Sequence, residues 1–229
     1  MTVNAEPGSP PRADCCPPVD PRIARHFDRK MRRRVGDGSL PALHSVSQRV
    51  FDALATDASE TAPSVLEIGC GGGALSIGLL AHGATSATGV DLSTESLEVA
   101  RQRAESAGLT DRTRFEPGDG ASVQLAPHDW VVLDRVLCCY PDLDRLLGNS
   151  VSAAQKRYVF SVPASSGWRG FANRLWIRLE DATEVLRGRP CRGYVHDIGT
   201  IEARLMDAGF HRTSSSVARL WYVAVFDRT

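Results

Sequence analysis

The chain has 229 residues, of which 42% are hydrophobic and 24% charged, and its formal net charge is zero. That length can bury one full core, and the balance excludes wholesale disorder and any global pull toward nucleic acid or membrane. No apolar run nears the roughly 20 residues of a membrane span, the start lacks a signal-peptide core, and the six cysteines form no disulfide framework in a chain this long, so a reduced cytoplasmic protein is expected.

In chain order, residues 1–21 hold six of the thirteen prolines and read as a flexible tail. Residues 22–60 turn helical and are expected to form a cap. The run "PRIARHFDRKMRRR" carries seven Lys/Arg and one Asp, and the next stretch sets Leu43, Val46, Val50, Phe51 and Leu54 at helical spacing. A main domain is expected over 61–229. Its strands are read at 64–69, 86–92, 113–119, 129–136 and 157–163. Between them lie a helix ending at Gly83 and a helix with Ser93 as N-cap and Gly108 past its end. Strands alternating with helices predict a parallel, doubly wound α/β sheet. After the last helix, "FHRTSSSVARLWYVAVFDR" divides into two strands too close together to be parallel, so the sheet ends in a hairpin. Residues 164–196 form an insertion before that helix.

The first strand, "VLEIGCGGGALSIGLL", carries Glu67 and then glycine at 69, 71, 72 and 73. A strand turning through glycines into a helix lets backbone N–H groups approach a ligand. The spacing Gly69–Gly71–Ala74 also fits a dinucleotide fingerprint, so a nicotinamide-dependent oxidoreductase is one reading. A carboxylate at Glu67 suits the cationic end of a ligand better than a pyrophosphate, and the closing hairpin replaces a second nucleotide half. Asp91, twenty residues past Gly71, ends the second strand, and Asp119 follows the third.

Glu67-Ile68-Gly69-Cys70-Gly71-Gly72-Gly73, "GVDLS" and "GDGA" together resemble the class I S-adenosylmethionine-dependent methyltransferases over residues 40–229. The resemblance implies a seven-stranded, mainly parallel Rossmann-like sheet with an antiparallel last strand, and S-adenosylmethionine as cofactor. It implies cofactor contacts from Glu67, Gly69, Gly71, Gly73, Asp91, Leu92, Asp119 and Gly120, with Asp91 on the ribose hydroxyls and Asp119 toward the adenine amine.

Methyl transfer from a sulfonium needs in-line positioning more than a base, and no residue stands out as catalytic. The end of the fourth strand, Asp134-Arg135-Val136-Leu137, lacks the N-P-P-[YF] tetrapeptide of DNA adenine and glutamine methyltransferases. Asp134, Arg135, Cys139, Tyr140 and His196 are the acceptor-pocket candidates. A lid is expected from His26, Phe27, Trp168, Phe171, Trp176, Tyr194 and His196, or else the insertion helix buries Leu175, Leu179 and Leu186 on the core. An aromatic lid suggests a small-molecule acceptor, attacked at oxygen or nitrogen. The insertion also looks distantly like magnesium-protoporphyrin O-methyltransferases, whose acceptor is a carboxylate. No metal is expected, although Cys15, Cys16, Cys138 and Cys139 leave open a metalloid site of the arsenite-methyltransferase kind. The basic segment 22–34 leaves open an RNA-modifying or RNA-binding protein, with nucleic acid and membrane partners not expected. A cofactor-binding scaffold without turnover is the remaining alternative. Oligomeric state is undetermined.

Overall fold

The computed structural model describes residues 21–32, 41–186 and 192–229. The elements in order are α1 (Pro21–Arg32), α2 (Ser45–Thr61), β1 (Ser64–Ile68), α3 (Ala74–Ala81), β2 (Ser86–Asp91), α4 (Thr94–Ser106), β3 (Thr113–Pro117), β4 (His128–Asp134), α5 (Leu143–Ala153), β5 (Ala154–Pro163), α6 (Gly167–Leu186), α7 (Ile198–Asp207), β6 (Phe210–Ala218) and β7 (Trp221–Arg228). Residues 1–20 of the expected tail, with Cys15 and Cys16, and Arg33 and Arg34 of the basic run lie outside the described residues.

The seven strands form one sheet in the order β3-β2-β1-β4-β5-β7-β6. Strands β1 to β5 pair in parallel, and β7 is antiparallel to both of its neighbours, so the last strand alone opposes the other six. This is the doubly wound sheet with a closing hairpin that the alternation of elements predicts. Residues 219–220 alone separate β6 from β7, and Arg219 makes that turn at φ 53°.

Both faces of the sheet are buried, and successive residues go to opposite sides as strand geometry requires. Val65, Trp130, Val132 and Val159 pack with Leu75, Leu79 and Leu80 of α3 and with Val46, Val50, Leu54 and Ala58 of α2. Leu66, Val131, Leu133, Tyr158 and Phe160 pack with Leu146 and Leu147 of α5 and Ile201 and Leu205 of α7. Helix α4 forms a third cluster through Leu97, Ala100 and Ala104 with Ile77 and Phe115. The expected division between a cap at 22–60 and a domain at 61–229 therefore falls at the end of a helix whose buried face belongs to the sheet's own core.

Three features depart from the sequence reading. Helix α5 had no counterpart in it; Asp142 starts it by accepting the Arg145 N–H at 3.1 Å. The fourth strand stops at Asp134 instead of 136, because Arg135 turns into the left-handed region at φ 58°. The insertion folds as α6, but Leu175 and Leu179 face solvent and do not bury on the core. The Leu186 side chain lies outside the described residues.

Candidate cofactor and acceptor site

The strand order reverses between β1 and β4, so a crevice opens at the carboxyl ends of these two strands. The glycine loop leaves β1 there. Gly69, Gly71 and Gly73 all hold positive φ, at 70°, 52° and 72°. A side chain at Gly69 would strike Val136 Cγ2, 2.3 Å away, whereas nothing lies within 4 Å of a Cβ placed on Gly71. One glycine is thus demanded by packing against the β4 end. The other faces the space a ligand would fill.

Asp91 holds the loop. One of its oxygens accepts the Gly71 N–H at 2.8 Å and the other accepts the Ser93 N–H at 2.8 Å. The end of β2, the glycine loop and the start of α4 are thereby tied at one carboxylate, while each oxygen keeps a lone pair for a further donor. Burial raises the Asp91 pKa against these hydrogen bonds. Leu92, next to it, is half-buried.

Glu67 lies deeper, at 4% exposure. Gly73, the residue before α3, has no side chain to cap the helix. Glu67 supplies the cap, accepting the Ser76 N–H at 3.1 Å and the Ser76 hydroxyl. Desolvation pushes its pKa up to about 8, Ser76 opposes the rise, and the charges of Asp134 and Asp91 add to it. A cation brought to this loop would reverse that rise.

Asp119 anchors the loop after β3. Its Oδ1 accepts the Ala121 N–H at 3.0 Å and the Tyr140 hydroxyl at 2.6 Å, and Oδ2 accepts the Ser122 hydroxyl at 3.2 Å. Burial and the adjacent Asp119 carboxylate raise the Tyr140 pKa, so Tyr140 is a neutral hydrogen-bond donor. Asn149 of α5 pins the same loop by donating to the carbonyls of Gly120 and Val123 at 2.8 and 2.9 Å.

On the β4 side, the Asp134 carboxylate accepts the hydroxyls of Ser47, from α2, and of Ser161, from β5 at 2.5 Å. Ser161 Oγ in turn accepts the Arg135 N–H at 2.8 Å. This relay fixes the left-handed turn at Arg135, which seats Val136 against Gly69 and leaves the guanidinium 3.5 Å from Asp134 and 39% exposed. Cys138 and Cys139 follow in a short 3-10 turn with their sulfurs 4.0 Å apart. Among the described residues no three His, Cys, Asp or Glu side chains cluster to hold a metal.

The structure separates the expected lid residues. His196 Nε2 lies 3.0 and 2.8 Å from the carbonyls of Leu137 and Tyr140, a geometry that puts the proton on Nε2 and makes the ring a strap across the β4 end. Tyr194 stacks on it and donates its N–H to the Cys138 carbonyl at 2.8 Å. Trp168, Phe171 and Trp176 are exposed on α6, and His26 and Phe27 lie on α1. Helix α1 reaches the site through Asp28, which accepts the Ser93 hydroxyl at 2.6 Å beside Asp91, and through the Arg32–Glu95 ion pair at 2.5 Å.

Sequence reasoning missed Ser47, Ser76, Ser161, Asp28 and Arg103. The Arg103 guanidinium is buried under the glycine loop, donates to the Gly72 carbonyl at 2.9 Å, and leaves its Nε without a partner. Only Ser161 carried a visible signal, a hydroxyl inside an apolar strand.

Comparison with known proteins points to methyltransferases. The family model described as "Methyltransferase domain" matches residues 65–156, from the first strand through the glycine loop to β5. These residues match a methyltransferase domain. A ubiquinone biosynthesis O-methyltransferase from Actinobacillus pleuropneumoniae is 41% identical over 75 residues, which is 32% of either chain. A release factor glutamine methyltransferase from Chlorobaculum tepidum is 33% identical over 89 residues, 38% of this chain and 30% of that one. The chain thus matches about a third of the length of these curated relatives. Among solved structures, a magnesium protoporphyrin IX methyltransferase from Synechocystis PCC 6803, with SAH bound, superposes with a TM-score of 0.69 at 22% identity, covering 90% of this chain and 98% of that one. The chain shares the Rossmann-like fold of this methyltransferase structure.

Proposed function

We propose that the chain transfers a methyl group from S-adenosylmethionine to a small-molecule acceptor. The observation that carries this reading is the sign of the charge around the glycine loop. Glu67 and Asp91 lie next to it and Asp134 is close enough to raise the Glu67 pKa. Such a ring of acids repels a pyrophosphate and attracts a cation, which speaks against the nicotinamide reading. The residues fit a cationic nucleoside: Asp91 retains acceptor capacity for vicinal hydroxyls, Asp119 for an amine, and the side-chain-free face of Gly71 leaves room.

S-adenosylmethionine supplies an electrophilic methyl group on a sulfonium. The chain's own residues position and enclose. Gly69, Gly71 and Gly73 shape the loop, Asp91 and Arg103 hold it by hydrogen bonds to Gly71 and Gly72, and Glu67, largely protonated at neutral pH, can ionise against a bound cation. On the acceptor side, Tyr140 is committed as a donor to Asp119, whereas the Asp134 oxygens, each accepting one serine hydroxyl, and the Nδ1 of His196, whose Nε2 donates to carbonyls, keep lone pairs for a proton. The site therefore suits an acceptor that arrives ionised, such as a carboxylate, and equally one that must lose a proton. Arg135, half-exposed beside Asp134, suits an anionic group on that acceptor.

Of the relatives named above, one is by name a ubiquinone biosynthesis O-methyltransferase and one a magnesium protoporphyrin IX methyltransferase, which supports a small-molecule acceptor, whereas the release factor glutamine methyltransferase is named for a protein. The test has two parts. Calorimetry should show S-adenosylhomocysteine binding and no NADH binding; tight binding of NADH alone would reject the proposal. Incubation with methyl-labelled donor and a whole-cell extract should then place label in a small molecule. Label confined to protein or RNA would overturn the acceptor class.

A further inference from the structure

Seven large hydrophobic side chains are prominently exposed among the described residues, and five of them, Trp168, Phe171, Leu175, Trp176 and Leu179, sit on α6. They are between 49 and 69% exposed. Their spacing places four of them, at 168, 171, 175 and 179, on one stripe about 17 Å long, with Trp176 beside it. The opposite face of the helix is the one that meets the protein. Asn173 is buried and donates to the carbonyls of Ala164 and Leu220 at 2.9 and 2.8 Å, a Cβ on Gly170 would strike the Ser165 carbonyl, and Ile177 abuts Gly193. Arg174 donates to the Ser165 carbonyl at 2.9 Å, and Asp181 accepts the Gly193 N–H at 3.0 Å. The polar side of α6 is therefore anchored and its apolar side is turned outward. This inverts the usual arrangement of a surface helix.

Charge says what such a face meets. Helix α6 carries Arg169, Arg174 and Arg178 along most of the stripe, with its acids, Glu180, Asp181 and Glu184, gathered toward its end. At the same, carboxyl-terminal end of the sheet lies α1, which presents Arg25, Arg29 and Lys30 to solvent and is fastened to α4 by Asp28 and Arg32. Tryptophan, phenylalanine and leucine on one face with arginine alongside is the composition of a helix lying in a bilayer interface. No described helix is long and apolar enough to cross a membrane, so the contact is with its surface.

We propose that α6 and α1 dock the protein on an anionic lipid surface. The apolar stripe of α6 enters the headgroup–acyl boundary and the cations of α1 lie against the headgroups. The carboxyl ends of the strands, and with them the candidate site, then face the bilayer. The expectation of no membrane partner rested on the lack of a span and on neutral net charge. It did not consider how the charge and the apolar surface are distributed.

The test is co-sedimentation of the full chain with vesicles of phosphatidylcholine alone or mixed equally with phosphatidylglycerol. The protein should sediment with the anionic vesicles at low salt, less as salt rises, and little with the neutral ones, with a blue shift in tryptophan emission. The double variant Leu175→Glu/Leu179→Glu should lose roughly tenfold or more in partitioning, because two buried leucines are removed from the lipid contact. Both side chains are exposed, so the fold should survive, as circular dichroism checks. Quenching of wild-type emission by brominated lipid gives the same answer without a variant. The proposal falls if the wild type stays in the supernatant with anionic vesicles at low salt, or if the folded double variant binds as well as wild type. It also falls if sedimentation velocity shows a lipid-independent dimer that the variant dissolves, which would assign the stripe to a second copy.

Discussion

Replacing Glu67 with glutamine should make the protein more stable at alkaline pH and change little in acid. The carboxyl is 4% exposed and its pKa stands at about 8 against an ordinary 4.5, chiefly through desolvation. Below pH 4.5 the group is protonated whether the chain is folded or not, and glutamine is a near-isostere of that form. Between 4.5 and about 8 the folded chain keeps a proton that the unfolded chain has released, so the unfolding free energy falls as pH rises. At about 1.36 kcal/mol per pH unit, the full window amounts to roughly 5 kcal/mol. The variant escapes this loss, less about 1 kcal/mol for any weakened hydrogen bond to Ser76. Urea unfolding of both proteins at pH 5, 7 and 8.5 measures it. The difference between wild type and variant cancels the other titrating groups and should widen steadily in favour of the variant. Two unfolding curves that stay parallel across this range would refute the argument that Glu67 is buried without a compensating cation.

Three further outcomes follow from the same geometry. At pH 7 most of Glu67 carries a proton, so binding of the cationic methyl donor should release close to one proton per site; titration calorimetry in two buffers of different ionisation enthalpy reads this, and buffer-independent heat would contradict it. Asp91→Ala should weaken donor binding by about 1.5–3 kcal/mol, the range for hydrogen bonds to a charged group, and unchanged affinity in a folded variant by equilibrium dialysis would remove Asp91 from the ribose contact. Gly69→Ala should cost about 1–3 kcal/mol more stability than Gly71→Ala, since both hold positive φ but only the first meets Val136; thermal melts that shift equally would place no close contact at Gly69.

The parts of the fold written in local pattern were legible. Short apolar runs marked the strands. Ser93 accepts the Ser96 N–H at 3.1 Å as the expected N-cap, and Gly108 sits past α4 at φ 68°. Helix α5 was hidden because Gly148, Asn149 and Ser150 interrupt its helical character, although Asn149 earns its place by pinning the loop at Gly120. The hydroxyls on Asp134 were illegible for a different reason: Ser47 lies 87 positions away in sequence and Ser161 27 away, and only the sheet brings them together. Helical spacing in α6 announced an amphipathic helix correctly. It carried no sign of which face would look inward, since Asn173 and Gly170 hold the inner side through backbone carbonyls of Ala164, Leu220 and Ser165.

Val136 stands against Gly69, so on the proposed function the acceptor side at the β4 end and the donor loop would share one packed surface. Specificity for the two substrates is then not separable at this point. A larger or smaller residue at 136, chosen to admit a different acceptor, would also tilt the glycine loop and retune the hold on the donor, and the two Michaelis constants would drift together.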